Sequence, residues 1–192
     1  MKRKMKNKKG FTLVELLAVI VILGVLLLIA VPSITSIIDN SKKNAFVSTS
    51  KMIAENVENL AIMDSYIGAS TYCAIPIDST NIKLDRGSLG TISGYVTVEG
   101  KTVKVFASDE ISGTNYATGG VTLTAMNEKG YKPTSGISYA TPTTLQTKDV
   151  CLTASGYDLT IVESSCTGTD KTWKDDVKGY TIGSEFFAKC DF

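Results

Sequence analysis

Residues 11–31 read FTLVELLAVIVILGVLLLIAV, and from Leu16 to Val31 no side chain is polar. Counted from Phe11, the stretch matches the roughly 20 residues that a helix needs to cross a bilayer core. The core helix of a soluble domain shows a polar face at helical spacing, and none is present here. Immediately upstream lie Lys2, Arg3, Lys4, Lys6, Lys8 and Lys9, with no acid among them. Such a cluster stays on the cytoplasmic side, which predicts that the rest of the chain lies outside.

Two ordinary explanations account for only part of this pattern. A secretory signal peptide has an apolar stretch of about 7–15 residues that ends in an A-x-A-like site. This run is longer and ends in Ala30-Val31-Pro32-Ser33-Ile34, where no such site occurs. A plain signal anchor explains length and charge but not Glu15. A carboxylate at the centre of a spanning helix costs on the order of 2.5–3.5 kcal/mol on insertion scales, and less near the interface. An acid in that setting calls for a function and a partner.

Lys9-Gly10-Phe11-Thr12-Leu13-Val14-Glu15, between a short basic leader and a long apolar run, resembles the processing signal of type IV prepilins and of the related secretion pseudopilins. The resemblance covers roughly residues 1–60. It implies that a membrane prepilin peptidase cuts between Gly10 and Phe11 and that Phe11 is then N-methylated. It implies as partners that peptidase, the inner-membrane pilus assembly machinery, membrane lipid before assembly, and further copies of the chain. Thr12, Glu15, Gly24 and Pro32 fall in the segment through which such subunits assemble. The cut removes the clustered positive charge and frees an α-amine at Phe11, four residues before Glu15. In a filament, the amine of one subunit can pair with Glu15 of a neighbour. A wrong register would leave both charges buried and unpaired, so Glu15 reads as a register device. In the family, a proline at the place of Pro32 marks a bend or local melting of the helix in filaments. Gly24 is a second weak point, a small-residue contact between helices, or an ordinary membrane-helix glycine.

Residues 33–66 read as an amphipathic continuation. Phe46, Val47, Ile53, Val57, Leu60 and Ile67 form its apolar stripe, and Gly68 is a plausible stop. A helix from Phe11 to Ile67 would be about 80 Å long. Beyond it, Gly, Ser and Thr become frequent and the apolar period shifts toward two. Tyr95–Val98 and Lys101–Val105 read as a hairpin, and Val121–Ala125 as a third strand. Tyr157–Val162 and Gly179–Ile182 read as further strands or edges. The expected fold is α+β: a long N-terminal helix, its first half transmembrane, against a small antiparallel sheet, as in pilins. The expected organisation is a cleaved leader over 1–10, a transmembrane and polymerisation helix over 11–32, its amphipathic continuation over 33–67, and an extracellular β-rich domain over 68–192.

Composition narrows the chemistry. Removing residues 1–10 leaves fourteen basic residues against nineteen acidic ones, a balance of −5. That sign disfavours non-specific nucleic-acid binding, and nucleic acid is not an expected partner. The chain has no histidine, which removes Ser-His-Asp and Cys-His catalysis and imidazole metal ligation. No G-x-S-x-G or phosphate-cradling glycine loop stands out, and the chain is not expected to be an enzyme or to need a cofactor. Asp170, Asp175 and Asp176 suggest a calcium loop, but Lys171, Lys174 and Lys178 interleave with them, so a solvated charged loop without metal is expected. Trp173 reads as packing on the sheet rather than as an adhesive surface. Cys73, Cys151, Cys166 and Cys190 form no C-x-x-C pair, and in an exported chain they favour disulfides over free thiols. Of the three possible pairings, Cys166–Cys190 with Cys73–Cys151 is favoured. The first would close a C-terminal loop and contribute about 3 kcal/mol in the loop-entropy model.

The expected product is a subunit of an extracellular type IV pilus-like filament on the bacterial surface, serving adhesion, motility or aggregation, with a cytoplasmic-membrane precursor. The alternatives are a pseudopilin of a type II-like secretion or DNA-uptake system, and a membrane-anchored binding protein that never polymerises.

Overall fold

The computed structural model describes residues 10–65, 72–84 and 86–190; the basic leader before Gly10, Ile67 and Gly68 lie outside these. The chain divides into two units, Met1–Ser41 and Lys42–Phe192. Helix α1, Leu13–Ser65, begins in the first and ends in the second.

In the first unit, every large apolar side chain from Phe11 to Val31 is at least half exposed; Leu23, at 51%, is the least so. Among the described residues none buries this part of α1, and its composition and length suffice to cross a membrane.

In the second unit, α1 changes character. Phe46, Ser50, Ile53, Ala54 and Val57 are buried, at spacings of three and four that keep them on one stripe. Ser50 returns its hydroxyl to the Phe46 carbonyl at 2.9 Å, so a polar residue sits in the stripe without an orphaned group. The stripe packs on a predominantly antiparallel sheet, nine-stranded among the described residues, as the α+β reading expected.

The sheet is built from β1 (Tyr72–Pro76), β2 (Ser93–Glu99), β3 (Thr102–Ile111), β4 (Thr114–Ala117), β5 (Thr134–Ser135), β6 (Gln146–Thr153), β7 (Gly156–Asp158), β8 (Thr172–Ile182) and β9 (Glu185–Lys189). Strands β2 and β3 form the expected hairpin, with Glu99 opposite Thr102 and Gly100 at φ +62 in the turn. Alternation puts Val96, Val98, Val103, Val105 and Ala107 into the core with α1. The other face carries Tyr95 stacked on Phe106 at 4.8 Å. A coil segment straps this face, where Ser93 donates to the Tyr139 carbonyl at 2.9 Å and Tyr139 N–H to Ser108 at 2.6 Å.

Strand β9 pairs with β1 in parallel and with β7 and β8 antiparallel, while β7–β6 and β6–β8 pairings close a ring through it. Gly179 sits in this ring, opposite Gln146 on β6 and Ala188 on β9. A Cβ there would lie 2.1 Å from the Phe187 carbonyl oxygen, so the close backbone approach requires glycine.

Four expectations need correction. Val121–Ala125 is not a strand: Val121 makes one bridge to Val105, and Thr122 then caps the short helix α2, Leu123–Asn127, accepting from Ala125 N–H at 3.3 Å. The N-cap overrides the apolar alternation, and Met126 of α2 is buried. Tyr157–Val162 stays extended only to Asp158 in β7, because the Asp158 carboxylate accepts from Thr160 N–H at 2.8 Å and turns the chain. The charged 170–178 segment is mostly strand, not loop. Asp175 and Asp176 lie on β8, where a bulge opposite Asp149 leaves Asp176 at φ +52. Trp173, half-buried on β8 opposite Cys151, donates its indole N–H to Asp175.

The fourth correction concerns the disulfides, which are Cys73–Cys190 and Cys151–Cys166. The parallel β1–β9 pairing aligns Cys73 with Ala188, two residues before Cys190, so alternation returns Cys190 to the side of Cys73 with the Cα atoms 5.0 Å apart. Cys151 on β6 meets Cys166 just after the 3-10 turn Glu163–Ser165, across only 15 residues.

Candidate functional site

The residues singled out for processing and assembly lie at the start of α1. Gly10, Phe11 and Thr12 are exposed and not helical; Phe11 is 89% exposed. The Gly10–Phe11 peptide bond therefore sits in accessible non-helical backbone one residue before the helix cap. Such backbone is what a protease active site can take up, because it need not first unwind a helix. A Cβ at Gly10 would meet no atom within 4 Å, so nothing among the described residues demands glycine there.

Thr12 and Glu15 form a reciprocal cap. The Thr12 carbonyl accepts the first helical hydrogen bond, from Leu16 N–H at 3.2 Å, which makes Thr12 the N-cap. Its hydroxyl oxygen accepts from Glu15 N–H at 3.3 Å. In return, Glu15 Oε2 accepts from Thr12 N–H and from the Thr12 hydroxyl, both at 2.9 Å. This is a capping box, S/T-x-x-E, and Thr12-Leu13-Val14-Glu15 carried its signature in the sequence. The sequence reading left Glu15 without a partner until a second subunit arrives. The structure gives it one within its own chain.

That changes the energetics of the acid. An ionised carboxylate with two donors loses less on leaving water than a bare one. It also sits at the positive end of the helix dipole, where negative charge is favoured. Its second oxygen makes no hydrogen bond among the described residues and remains available to an outside cation.

Gly24 lies in the exposed apolar stretch, with open space around a notional Cβ. Pro32 lies inside α1, which continues through it to Ser65, so the helix does not melt there in the single chain. Proline removes one hydrogen bond from the ladder. Nearby hydroxyls add others: Thr35 donates to the Pro32 carbonyl at 3.0 Å and Ser33 to the Ile29 carbonyl at 3.5 Å. The four cysteines lie in the second unit and serve as structural ties there.

The family model of the prokaryotic N-terminal methylation motif matches residues 5–31. No curated protein and no solved structure matches the chain. The matched segment spans Gly10, Phe11, the Thr12–Glu15 cap and the apolar part of α1 as far as Val31, one residue short of Pro32. It supports the resemblance to type IV pilin-like precursors and fits a membrane-anchored precursor.

Proposed function

We propose that this chain is a structural subunit of an extracellular type IV pilus-like filament, built by packing its apolar N-terminal helices after a prepilin peptidase cuts at Gly10–Phe11 and Phe11 is N-methylated. The observation that carries the reading is the combination, in one register, of the methylation motif over residues 5–31 with an uncovered apolar helix that opens on a capped acid. A helix with this much exposed apolar surface is stable in lipid or among sister helices. The second oxygen of Glu15 accepts the new amine of a neighbouring Phe11 without giving up the Thr12 bonds. Leaving the bilayer then costs less for a subunit that docks in register than for one that does not. Adhesion, motility or aggregation are the roles we assign to the filament, with no catalytic step in this chain.

The same N-terminus serves a pseudopilin of a secretion or DNA-uptake system, or a membrane-anchored binding protein. Shearing filaments from cells and identifying them by mass spectrometry separates the three. Long filaments composed mainly of this chain support the proposal. Trace amounts in filaments made of another protein point to a minor or pseudopilin role. Membrane-bound chain with no filaments contradicts polymerisation.

A further inference from the structure

The second unit holds a groove of about 510 Å³, within the range of ligand-binding clefts. It lies away from the α1 stripe, between the β2–β3 hairpin, the β6–β7 turn and the β8–β9 turn. Tyr72, Glu99, Lys104, Tyr157, Asp158 and Glu185 supply its functional lining. Several of these are held in place. Lys104 pairs with Glu99 at 2.7 Å. Asp158 Oδ1 accepts from Thr160 N–H and from the Thr160 hydroxyl at 2.6 Å, which keeps this carboxyl below its ordinary range and ionised. Tyr72 donates its hydroxyl to the Ala154 carbonyl and so ties β1 to the β6–β7 turn. Tyr157 packs edge-on to Phe186 at 6.0 Å.

Two groups in this lining remain unused. Tyr157 is half-buried and its hydroxyl has no hydrogen-bond partner among the described residues; desolvation raises its pKa, so it stays a neutral donor. The Glu185 carboxylate, exposed at the start of β9, has no hydrogen bond or ion pair among the described residues.

We propose that this groove binds a neutral saccharide. Anions are disfavoured, because they can only accept and would face three carboxylates. A cation is drawn by the net negative lining but can only donate, so it offers no acceptor to the Lys104 ammonium that Glu99 fixes in the wall. A sugar hydroxyl both donates and accepts, so a saccharide can use Glu185, Asp158, Lys104 and the Tyr157 hydroxyl together. The Tyr72 and Tyr157 rings offer apolar surface to the C–H faces of a pyranose. The site lies wholly in the second unit, and its chemistry is the same whether or not the chain polymerises.

The test is saturation-transfer NMR on the full chain in detergent micelles. The probes are neutral disaccharides of glucose, galactose, mannose and N-acetylglucosamine, with sialyllactose and spermidine as the anionic and cationic probes. The expected result is transfer to at least one neutral disaccharide, with binding weakened about tenfold in Glu185→Gln and severalfold in Tyr157→Phe. Both substitutions keep side-chain volume, and unchanged thermal unfolding shows that each variant is folded. Binding by spermidine or sialyllactose alone, no transfer to any neutral probe, or neutral binding that both variants leave unchanged would each overturn the assignment.

Discussion

Thr12 and Glu15 hydrogen-bond in both directions at the start of α1, the carboxylate taking the Thr12 N–H and hydroxyl at 2.9 Å while the Thr12 hydroxyl oxygen takes the Glu15 amide. The acid that makes this apolar segment unusual thus also completes the cap of its helix. A proteolytic cut before Phe11 leaves the cap whole, because every atom in it lies on the product side. Thr12→Val should cost about 1 kcal/mol of cap stability, seen as roughly fivefold faster hydrogen exchange at the Glu15 amide in micelles, with Thr12→Ser close to the parent. An unchanged exchange rate in Thr12→Val would remove the cap from the account.

Glu15→Val should insert into the membrane as well as the parent, since it removes a charge from an apolar span. It should nevertheless sharply reduce filaments in the sheared fraction, because no carboxylate remains to receive the neighbouring amine. Filaments of normal yield and length from this variant would refute the pairing.

Gly10→Leu should block removal of the leader. A Cβ at this position meets no atom of the described residues within 4 Å, and Gly10 lies outside the second unit, so a loss of processing reports on recognition by the peptidase and not on misfolding of that unit. The readout is the mass of the membrane-extracted chain, which should retain residues 1–10.

The start of α1 was readable because its logic is local: basic leader, glycine, acid and apolar run follow one another along the chain. The β2–β3 hairpin was readable for the same reason. The disulfides were not. Their pairing depends on β1 and β9 meeting in parallel across 117 residues, and no local pattern announces that contact. The helix at Leu123–Asn127 was hidden by an alternation that imitates a strand, although Thr122 was there as a cap. The Glu99–Lys104–Glu185 groove was invisible for a similar reason, since it is assembled from three separate turns.

The two disulfides should differ in weight. In the loop-entropy model, a tie across 117 residues constrains the unfolded chain by about 5 kcal/mol, and one across 15 by about 3 kcal/mol. Guanidinium unfolding of the Cys73→Ser/Cys190→Ser and Cys151→Ser/Cys166→Ser variants should show the larger drop for the first. The reverse order would mean that native packing, not chain entropy, dominates.

Gly179→Ala should destabilise the second unit by about 2 kcal/mol or more, because its methyl group would sit 2.1 Å from the Phe187 carbonyl oxygen in the β6–β8–β9 ring. Thermal unfolding checks this, with Gly10→Ala as a substitution that should leave unfolding of the same unit unchanged.

The most direct test of the central claim is the identity of the first residue of the chain recovered from the cell surface, with its methylation state, by intact-mass and N-terminal peptide spectrometry. The account predicts N-methylated Phe11. A surface-exposed chain that begins at Met1 with its six clustered basic residues still attached would contradict it.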